Sequence, residues 1–562
     1  MISKAFLTLI ALVVISQVSK SQIENVPVSN QVYEFLNRMG VKGILPAYSN
    51  AMIPYSRREV GEMLVKIDSS FSNLSKAEMA FLTKFKREFM HELDPAKEEN
   101  SALFRDGFAG ENYLENEKFL YDYRDSSVSL YVEFLGSLEY RGTETFFGDL
   151  GPSSGVDTSF SAVLEQHGGR IRGTIKDRLG YFLQGTNGTV FGDKAFAMTD
   201  PALESNNKLK EPASNNFDFT EAYLRADLIW FNLEFGRERN LVGTGYSDQL
   251  MLSDNAPAFD LLKLDFHYKA VRYMFLHGSL VEDSAAFPGT LAGEPEPRNK
   301  YMAMHRLQIS LWDVLNVGLS EMTIYQRTSP EWAYLNPINF YKSAEHAEGD
   351  RDNSFLNFDI EVFPMNGVKL YSTLLVDDID FSKLGTTWWG NELGMQGGAF
   401  FAEPFGINNV DVVAEYTRIE PYVYSNRTDG LAYTNNNMNM GDRIGPNSDE
   451  WFFQVQFRPS ASVRGWLAYS NVRHGENIIE NGIVTKNVGG NPLQGHRSTD
   501  SEEAPFLDGN LVRYQVFQMR WAYEPVNNII LYLTTEFRGS TVYPTNTTSV
   551  DSYGSLRLQV EY

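Results

Sequence analysis

The feature that most constrains this chain is an alternation of apolar and polar side chains, which recurs in many short segments. In the last seven residues, Leu556, Leu558, Val560 and Tyr562 alternate with arginine, glutamine and glutamate. Successive side chains of a β-strand point to opposite faces, so this segment predicts a strand with one apolar and one charged face. A transmembrane β-barrel needs that pattern in every strand, because lipid lies outside and a polar lumen inside.

The pattern also predicts how many strands there are and which way they run. Four short turns, each with Pro at the second position, alternate with four long polar segments, at residues 377–390, 425–450, 471–509 and 540–552. Short turns at one end and long loops at the other are typical of outer-membrane barrels, with the short side periplasmic. Nine strands fit residues 355–562, and a similar density fits residues 127–354. We therefore predict an all-β transmembrane fold over residues 100–562, an antiparallel outer-membrane β-barrel of about 18 strands with a periplasmic C-terminus.

The first hundred residues follow other patterns. Lys4, an apolar stretch and small residues up to Ser21 predict a signal peptide over residues 1–21. Residues 22–99 predict a small periplasmic helical bundle and a linker, because apolar residues fall at helical spacing. Two capping boxes, Ser56 with Glu59 and Ser75 with Glu78, mark helix starts. We expect about three helices packed against the periplasmic mouth of the barrel.

Composition excludes several classes of function. The chain has no cysteine and a formal net charge of −23, so thiolate sites, a lipidated cysteine and nucleic-acid binding are not expected. The eight histidines form no recognised catalytic motif. The acidic run Asp377, Asp378 and Asp380 suits either a cation or a solvated turn. We predict no enzymatic activity, no cofactor and no metal site.

One segment resembles a known family. Residues 235–259 carry a strand ending in Gly-Arg, a glycine-rich turn and a Leu-x-Leu-Ser stretch; the matching positions are Gly236, Arg237, Gly243, Gly245, Leu250, Leu252, Ser253, Ala256 and Phe259. This pattern resembles the capsule assembly (Wzi-type) family of outer-membrane β-barrels. Residues 32–38, 54–59, 305–307, 318–321, 414–418 and 441–449 are also similar to it. The resemblance implies an 18-stranded barrel, a periplasmic helical bundle and a role in attaching or organising surface polysaccharide.

The candidate site residues follow from side-chain chemistry beside that resemblance. Arg237 and Arg239 suit a uronic acid carboxylate, or pair in the lumen with carboxylates such as Glu234. Four tyrosines are candidates for sugar stacking: Tyr246, Tyr422, Tyr424 and Tyr433. Gly236, Gly243, Gly245 and Ser253 are expected to shape the loop, the second and third glycines through positive φ, close backbone approach or simply a tight turn. The family's aromatic residues beside the glycine pair are replaced here by Leu241 and Val242.

The sequence therefore predicts a non-enzymatic barrel in the bacterial outer membrane that binds or organises capsular or exopolysaccharide at the cell surface. The expected partners are surface polysaccharide and outer-membrane lipid, and the barrel is expected to be monomeric. The alternative is a diffusion porin for small solutes. Inward charges and the insertion at residues 240–260 favour an occluded lumen over an open one.

Overall fold

The computed structural model describes residues 22–93, 101–103, 116–147, 159–282, 299–349, 351–428, 430–543 and 545–562. The predicted signal peptide and the predicted linker, residues 94–99, lie outside these residues. Within them, eighteen long antiparallel strands form one closed barrel. Labelled β1 to β18, they span Ser129–Phe147, Ser159–Ile175, Leu179–Gly192, Asn216–Asp227, Asn232–Glu238, Phe259–Tyr268, Val271–Leu280, Asn299–Leu311, Leu315–Arg327, Asn353–Met365, Val368–Asp378, Glu392–Ala402, Val410–Ile419, Ser448–Ser460, Val463–Glu476, Asn510–Val526, Ile529–Val542 and Thr547–Glu561.

The last strand closes the barrel against the first. Leu556 of β18 lies opposite Tyr140 of β1, and the four-residue strand Tyr121–Arg124 pairs with β1 beyond the end of β18. Nine of the strands follow residue 352 and nine precede it, which confirms the predicted total. The long loop predicted over residues 540–552 is wrong: β17 and β18 pair through most of it and leave only a short connection after Val542.

The wall has the two faces that the alternation predicts. Leu558 and Phe358 are each more than 40% exposed, whereas Arg306 and Asp359 are buried inside the barrel. The exposed outer residues are mostly large and apolar, and they include Leu138, Phe235, Ile360, Val455, Phe517, Leu531, Leu533 and Leu556. This outer belt is what a lipid-facing barrel surface requires. No helix among the described residues has both the length and the apolar character needed to span a membrane.

The N-terminal residues form the predicted helical bundle. Its helices are α1 (Val32–Val41), α2 (Arg57–Asp68), α3 (Lys76–Glu88) and the single turn α4 (Met90–Leu93). Both predicted capping boxes are present at the starts of α2 and α3. Four one- or two-turn helices lie in loops between strands: α5 (Lys194–Ala197), α6 (Pro201–Glu204), α7 (Asn207–Lys210) and α8 (Trp332–Leu335). The longer α9 (Tyr341–Ala347) follows them.

Ion pairs fix the bundle to the end of the barrel where the short turns lie, called here the short-turn end. Arg38 of α1 pairs with Glu78 at 3.0 Å, with Glu403 in a short turn at 2.8 Å and with Asp411 of β13. Lys84 of α3 donates to Glu524 at 2.7 Å. The opposite end of the barrel, which carries most of the longer loops, is called the long-loop end. The bundle thus covers one mouth of the barrel, as the sequence predicts.

Candidate functional site

Two loops fold into the centre of the lumen, and the loop that carries α5, α6 and α7 packs beside them against inward residues of β2, β3 and β4. We call residues 239–258, between β5 and β6, and residues 420–447, between β13 and β14, together the plug. Their apolar side chains join inward residues of the wall in one buried core, which contains Leu250, Met251, Leu252, Val423, Leu431, Met440, Met302, Met304, Met322 and Phe355. The N-terminal segment is tied to the plug as well, because Met52–Ile53 pairs with Leu241–Val242. The lumen is therefore packed like a protein interior.

The glycines singled out in the sequence make this packing possible. Gly243 has a φ of +138°, which L side chains rarely adopt. A Cβ on Gly245 would lie 1.8 Å from the carbonyl oxygen of Asp248, and one on Gly236 would lie 2.4 Å from the Cα of Tyr223. Ser253 links the two plug loops, since its hydroxyl donates to the carbonyl of Gly441 at 2.7 Å. The three glycines thus allow close approach of the backbone, and Ser253 holds the two plug loops together.

Two of the candidate tyrosines are internal struts of the plug. Tyr424 is fully buried and donates its hydroxyl to the carbonyl of Leu250 at 2.7 Å, and Tyr433 is buried and donates to the carbonyl of Met251. Their rings stack on each other at 5.4 Å between centroids. Neither ring has an open face, so stacking of a sugar on either one would need the plug to rearrange.

Tyr246 also lies inside the barrel, half-buried between neighbouring rings. Its centroid is 5.8 Å from that of Phe400 and 6.3 Å from that of Phe452, and its hydroxyl accepts from Gln454 at 2.7 Å. The backbone N–H of Tyr246 donates to Glu415 at 2.7 Å. This set of contacts fixes the plug to β12, β13 and β14.

The plug also encloses acidic side chains. Burial raises the pKa of Asp248 to about 7, and burial together with the nearby Asp248 raises that of Asp442 well above its usual range. Asp248 accepts the backbone N–H of Arg443 at 2.8 Å and the side-chain amide of Asn255 at 3.1 Å. Among the described residues no group of three or more His, Cys, Asp or Glu side chains is arranged to hold a metal ion.

The two candidate arginines do not lie together in the lumen. Arg237 is on the outer face of β5, where it donates to Asp260 of β6 at 2.9 and 3.1 Å. The predicted lumen position is wrong, because Glu234 and Glu238 occupy the inward face and the alternation turns Arg237 outward. Arg239, just past the strand, lies 3.7 Å from Glu221. Both have carboxylate neighbours within the protein.

An aromatic cluster lies at the long-loop end, where three loops meet. We call Trp388, Trp389, Tyr422 and His496 the aromatic platform. The ring of Trp389 stacks on that of His496 at 3.8 Å and 7° between planes, and lies 5.7 Å from that of Trp388. Tyr422 supports both from beneath: it is buried, and its ring meets Trp389 and His496 edge-on at 5.9 and 5.3 Å. The platform is thus a rigid stack at the mouth of the barrel.

Glu502 fixes the two indoles. Its carboxylate accepts from Nε1 of Trp388 at 3.3 Å and from Nε1 of Trp389 at 3.2 Å, and its carbonyl accepts from the backbone N–H of Trp389 at 3.2 Å. Both tryptophans remain partly exposed. Indole faces combine a large apolar area with little conformational freedom, which suits them to the C–H faces of sugar rings.

Two cations lie on the same indoles. Lys383 places its ammonium 4.1 Å from the ring centroid of Trp388, and Arg427 places its guanidinium 5.0 Å from that of Trp389. Within the described part of the chain neither has an ion-pair partner within 4.0 Å. A guanidinium with free N–H groups binds a carboxylate in a bidentate fashion. The platform therefore combines stacking surface with positive charge.

The sequence interpretation missed most of this platform. It named Tyr422, but it treated residues 377–390 only as a polar loop. The available signal was two adjacent tryptophans inside that loop, Trp388 and Trp389, a place where apolar burial does not require them. Their stacking partner, His496, lies on a different loop and follows no recognisable spacing.

Comparison with known proteins finds a matching family and solved structures with a similar barrel. The model of the family described as capsule assembly protein Wzi matches residues 154–504, well over half of the chain. The solved structure of Wzi from Escherichia coli is described as an outer membrane protein involved in group 1 capsule assembly and as a carbohydrate-binding β-barrel. It is 14% identical, with a TM-score of 0.55 over 95% of this chain and 98% of that chain, so the fold is shared.

Pseudomonas aeruginosa OccK8 (OprE) matches 77% of this chain and 98% of its own at 9% identity and a TM-score of 0.44. OprD from the same organism matches 77% of this chain and 95% of its own at 10% identity and a TM-score of 0.42. No curated protein matches the chain by sequence.

Proposed function

Because this chain belongs to the Wzi family of capsule assembly proteins, we propose that it is a non-enzymatic outer-membrane barrel that binds surface polysaccharide at its long-loop end. In this proposal the long loops face the outside of the cell. The N-terminal helices and the C-terminus then lie in the periplasm, since short turns face that side in bacterial outer-membrane barrels.

The observation that carries the proposal is the aromatic platform. Trp388 and Trp389 are held by Glu502 and by the buried Tyr422, so little conformational entropy is lost when a ligand stacks on them. They lie on loops at the open mouth, where a long polymer can reach them without entering the barrel. A site of this kind retains a polymer and does not transport it.

The charges beside the platform support an acidic sugar as the preferred residue. Lys383 and Arg427 lie over the two indoles, and each has donors available for a uronate carboxylate. These two cations outnumber the one carboxylate that contacts the same indoles, Glu502, which contrasts with the overall net charge of −23. An anionic polymer would therefore be attracted at this place and repelled over most of the remaining loop surface.

The packed lumen is the reason for preferring binding to solute diffusion. Leu250, Met302 and Met322 belong to one buried core that fills the interior, and the helical bundle covers the short-turn end. A diffusion porin needs a continuous aqueous path through the barrel. Among the described residues, no observation of similar weight favours the porin alternative.

The proposal is tested by binding measurements on the full mature chain in lipid nanodiscs. We expect polygalacturonate, a uronate polymer, to bind more tightly than neutral dextran. Replacing both tryptophans, Trp388→Ala with Trp389→Ala, should weaken polygalacturonate binding by about tenfold, since stacking of one or two rings contributes about 1 to 2 kcal/mol.

The control is Trp312→Ala, because Trp312 is 80% exposed but lies in a turn at the short-turn end. This variant should bind as the unaltered protein does. Equal loss in both variants, or no loss in the double variant, would contradict binding at the platform. A protein that retains neither these polymers nor polysaccharide extracted from the surface of its own cells would contradict the proposed function itself.

A further inference from the structure

The loop between β9 and β10 does not project from the mouth of the barrel. Residues 328–349, which contain α8 and α9, lie instead on the outside of the barrel wall, and we call them the flap. Tyr334 and Tyr341 of the flap are fully buried, in a cluster with Phe275, Tyr301 and Tyr325 of the wall. The position of these three wall residues decides which side of the barrel the flap occupies.

The alternation along β7, β8 and β9 places that cluster outside. Met274, Met302 and Met322 point inward, because they belong to the core that the plug fills. Phe275, Tyr301 and Tyr325 have the opposite parity in their strands, so they point away from the lumen. The flap that buries them therefore covers the outer face of the wall.

The wall beneath the flap is polar where the neighbouring outer face is apolar. Glu321 of β9 is an outward residue that is only 2% exposed. Its carboxylate accepts the backbone N–H groups of Tyr341 and Lys342, at 2.8 and 2.7 Å, at the start of α9. His305 of β8 lies 3.3 Å from the same carboxylate. The flap thus supplies partners for polar groups that bare lipid would leave unsatisfied.

The flap reaches far down the wall. The hydroxyl of Tyr273 donates to the carbonyl of Pro337, and Tyr273 is only the third residue of β7 from the short-turn end. The tip of the flap therefore lies beside the part of the wall that faces lipid in a barrel of this size. A loop placed there must satisfy its own polar groups.

The tip meets that requirement. The side-chain amide of Asn339 donates to the carbonyl of Ala333 at 2.9 Å, and the side-chain oxygen of Asn336 accepts the backbone N–H of Ile338 at 3.2 Å. The backbone N–H of Asn339 donates to the carbonyl of Asn336 at 3.2 Å. The side chains of Asn336 and Asn339 thus bond within the flap, and Asn336 remains exposed.

Three of the side chains that the flap exposes are large and apolar, and they lie beside exposed polar residues, which include Asn336, Ser343 and His346. Trp332 is 83% exposed, Ile338 86% and Phe340 55%. On the same side of the barrel, Val317 and Leu319 of β9 are 41% and 43% exposed on the bare wall. The exposed apolar surface of the flap is thus continuous with the outer belt, which in this fold contacts lipid.

We propose that the flap is a membrane-inserted element, and that Trp332, Ile338 and Phe340 bind the acyl chains of the surrounding lipid. It replaces a polar stretch of the wall by an apolar surface, so that His305 and Glu321 never contact hydrocarbon. The flap widens the lipid-facing surface on its own side of the barrel. This inference is independent of what the long-loop end binds.

The absence of cysteine allows a direct test by site-directed spin labelling. Single variants Ile338→Cys and Ile483→Cys are labelled with a nitroxide on the full mature chain in liposomes. Collision with molecular oxygen, which concentrates in hydrocarbon, is then compared with collision with a water-soluble nickel chelate. Ile483 is the matched control, because it is also an exposed isoleucine, at 68%, but lies in a hairpin between β15 and β16 at the long-loop end.

We expect the label at position 338 to collide several-fold more often with oxygen than with nickel, and the label at position 483 to show the reverse. A label at Phe358→Cys, on the bare outer wall, should behave as position 338 does. Unboiled samples must migrate faster than boiled ones on detergent gels, which confirms that each variant has a folded barrel. Access of nickel to position 338 as free as at position 483 would overturn the proposal. Shielding of position 338 from both reagents would also overturn it, because the flap would then contact protein.

Discussion

At the scale of single residues, the most tightly constrained position is Arg38. Its guanidinium is 1% exposed and contacts Glu78, Glu403 and Asp411, which belong to the bundle, a short turn and the barrel wall. Burial lowers the pKa of Arg38 from its ordinary value, with Arg458 nearby as a second cause, whereas Glu78 and Glu403 act in the opposite direction. One side chain therefore joins three elements that are distant in sequence.

Replacing Arg38 with methionine should loosen the bundle. We expect the free energy of opening of α1, measured by native-state hydrogen exchange in detergent micelles, to fall by about 3 kcal/mol, because buried carboxylates lose a partner. The control is Lys86→Met, since Lys86 and Asp68 form a pair that is about 40% exposed on each side. That variant should change the opening free energy by less than about 0.5 kcal/mol. Equal effects of the two substitutions would contradict the role given to Arg38.

At the scale of elements, the plug should depend on pH through Asp248. Its pKa is raised to about 7, so between about pH 4 and pH 7 the folded plug holds a proton that the open plug releases. The protonated Asp248 carboxyl therefore stabilises the closed plug at acid pH, and this stabilisation is lost as the pH rises towards 7. Hydrogen exchange of residues 239–258, corrected for the intrinsic pH effect, should show about 2 kcal/mol less protection at pH 8.5 than at pH 5.5. In Asp248→Asn, which stays neutral, the difference should shrink; an unchanged difference would contradict the assignment.

The plug and the bundle should act as two separate barriers to ions. Removing residues 31–93 exposes the short-turn end and takes Met52 out of the lumen core, but Leu250, Tyr424 and Met302 keep their other partners there. We expect only a small rise of conductance in planar bilayers after that deletion. Additional replacement of residues 243–256 by a short Gly-Ser linker should open the barrel. A full-size channel after removal of the helices alone would show that the plug does not seal the lumen.

How much the sequence predicts depends on whether a feature arises within one short segment or from contact between distant segments. Alternation along β18 and the capping boxes at Ser56 and Ser75 are local patterns, and they correctly predict the strands, their total and the helix starts. Glu234 and Glu238 point inward, and Arg237 lies an odd number of residues from each. Alternation along β5 therefore places Arg237 on the outer face, and the prediction of a lumen position is wrong. The stacking of Trp389 on His496 joins two loops that no pattern connects.

The flap shows a second limit of periodic patterns. His305 and Glu321 fall on outward positions, where alternation alone predicts apolar residues. Their polarity is explained only when a distant loop lies over them, because Glu321 accepts from the first residues of α9. At Glu321, the departure from alternation on the outer face thus reflects a contact with a loop that follows later in the chain.

At the scale of the whole molecule, the chain combines a closed barrel, a packed lumen and a rigid aromatic platform at one mouth. The first two features oppose the passage of solutes, and the third offers a surface to a polymer outside the barrel. From these features we propose that the protein holds polysaccharide at the cell surface and does not synthesise it.

Deletion of the gene, followed by measurement of where the polysaccharide is found, tests this role. We predict that total polysaccharide stays unchanged, while the cell-bound fraction falls and the fraction in the medium rises. The unaltered protein should restore retention, whereas the variant with Trp388→Ala and Trp389→Ala should reach the membrane in equal amount and restore it poorly. A deletion strain that keeps its polysaccharide on the surface and loses uptake of small solutes would contradict the proposal and favour a porin.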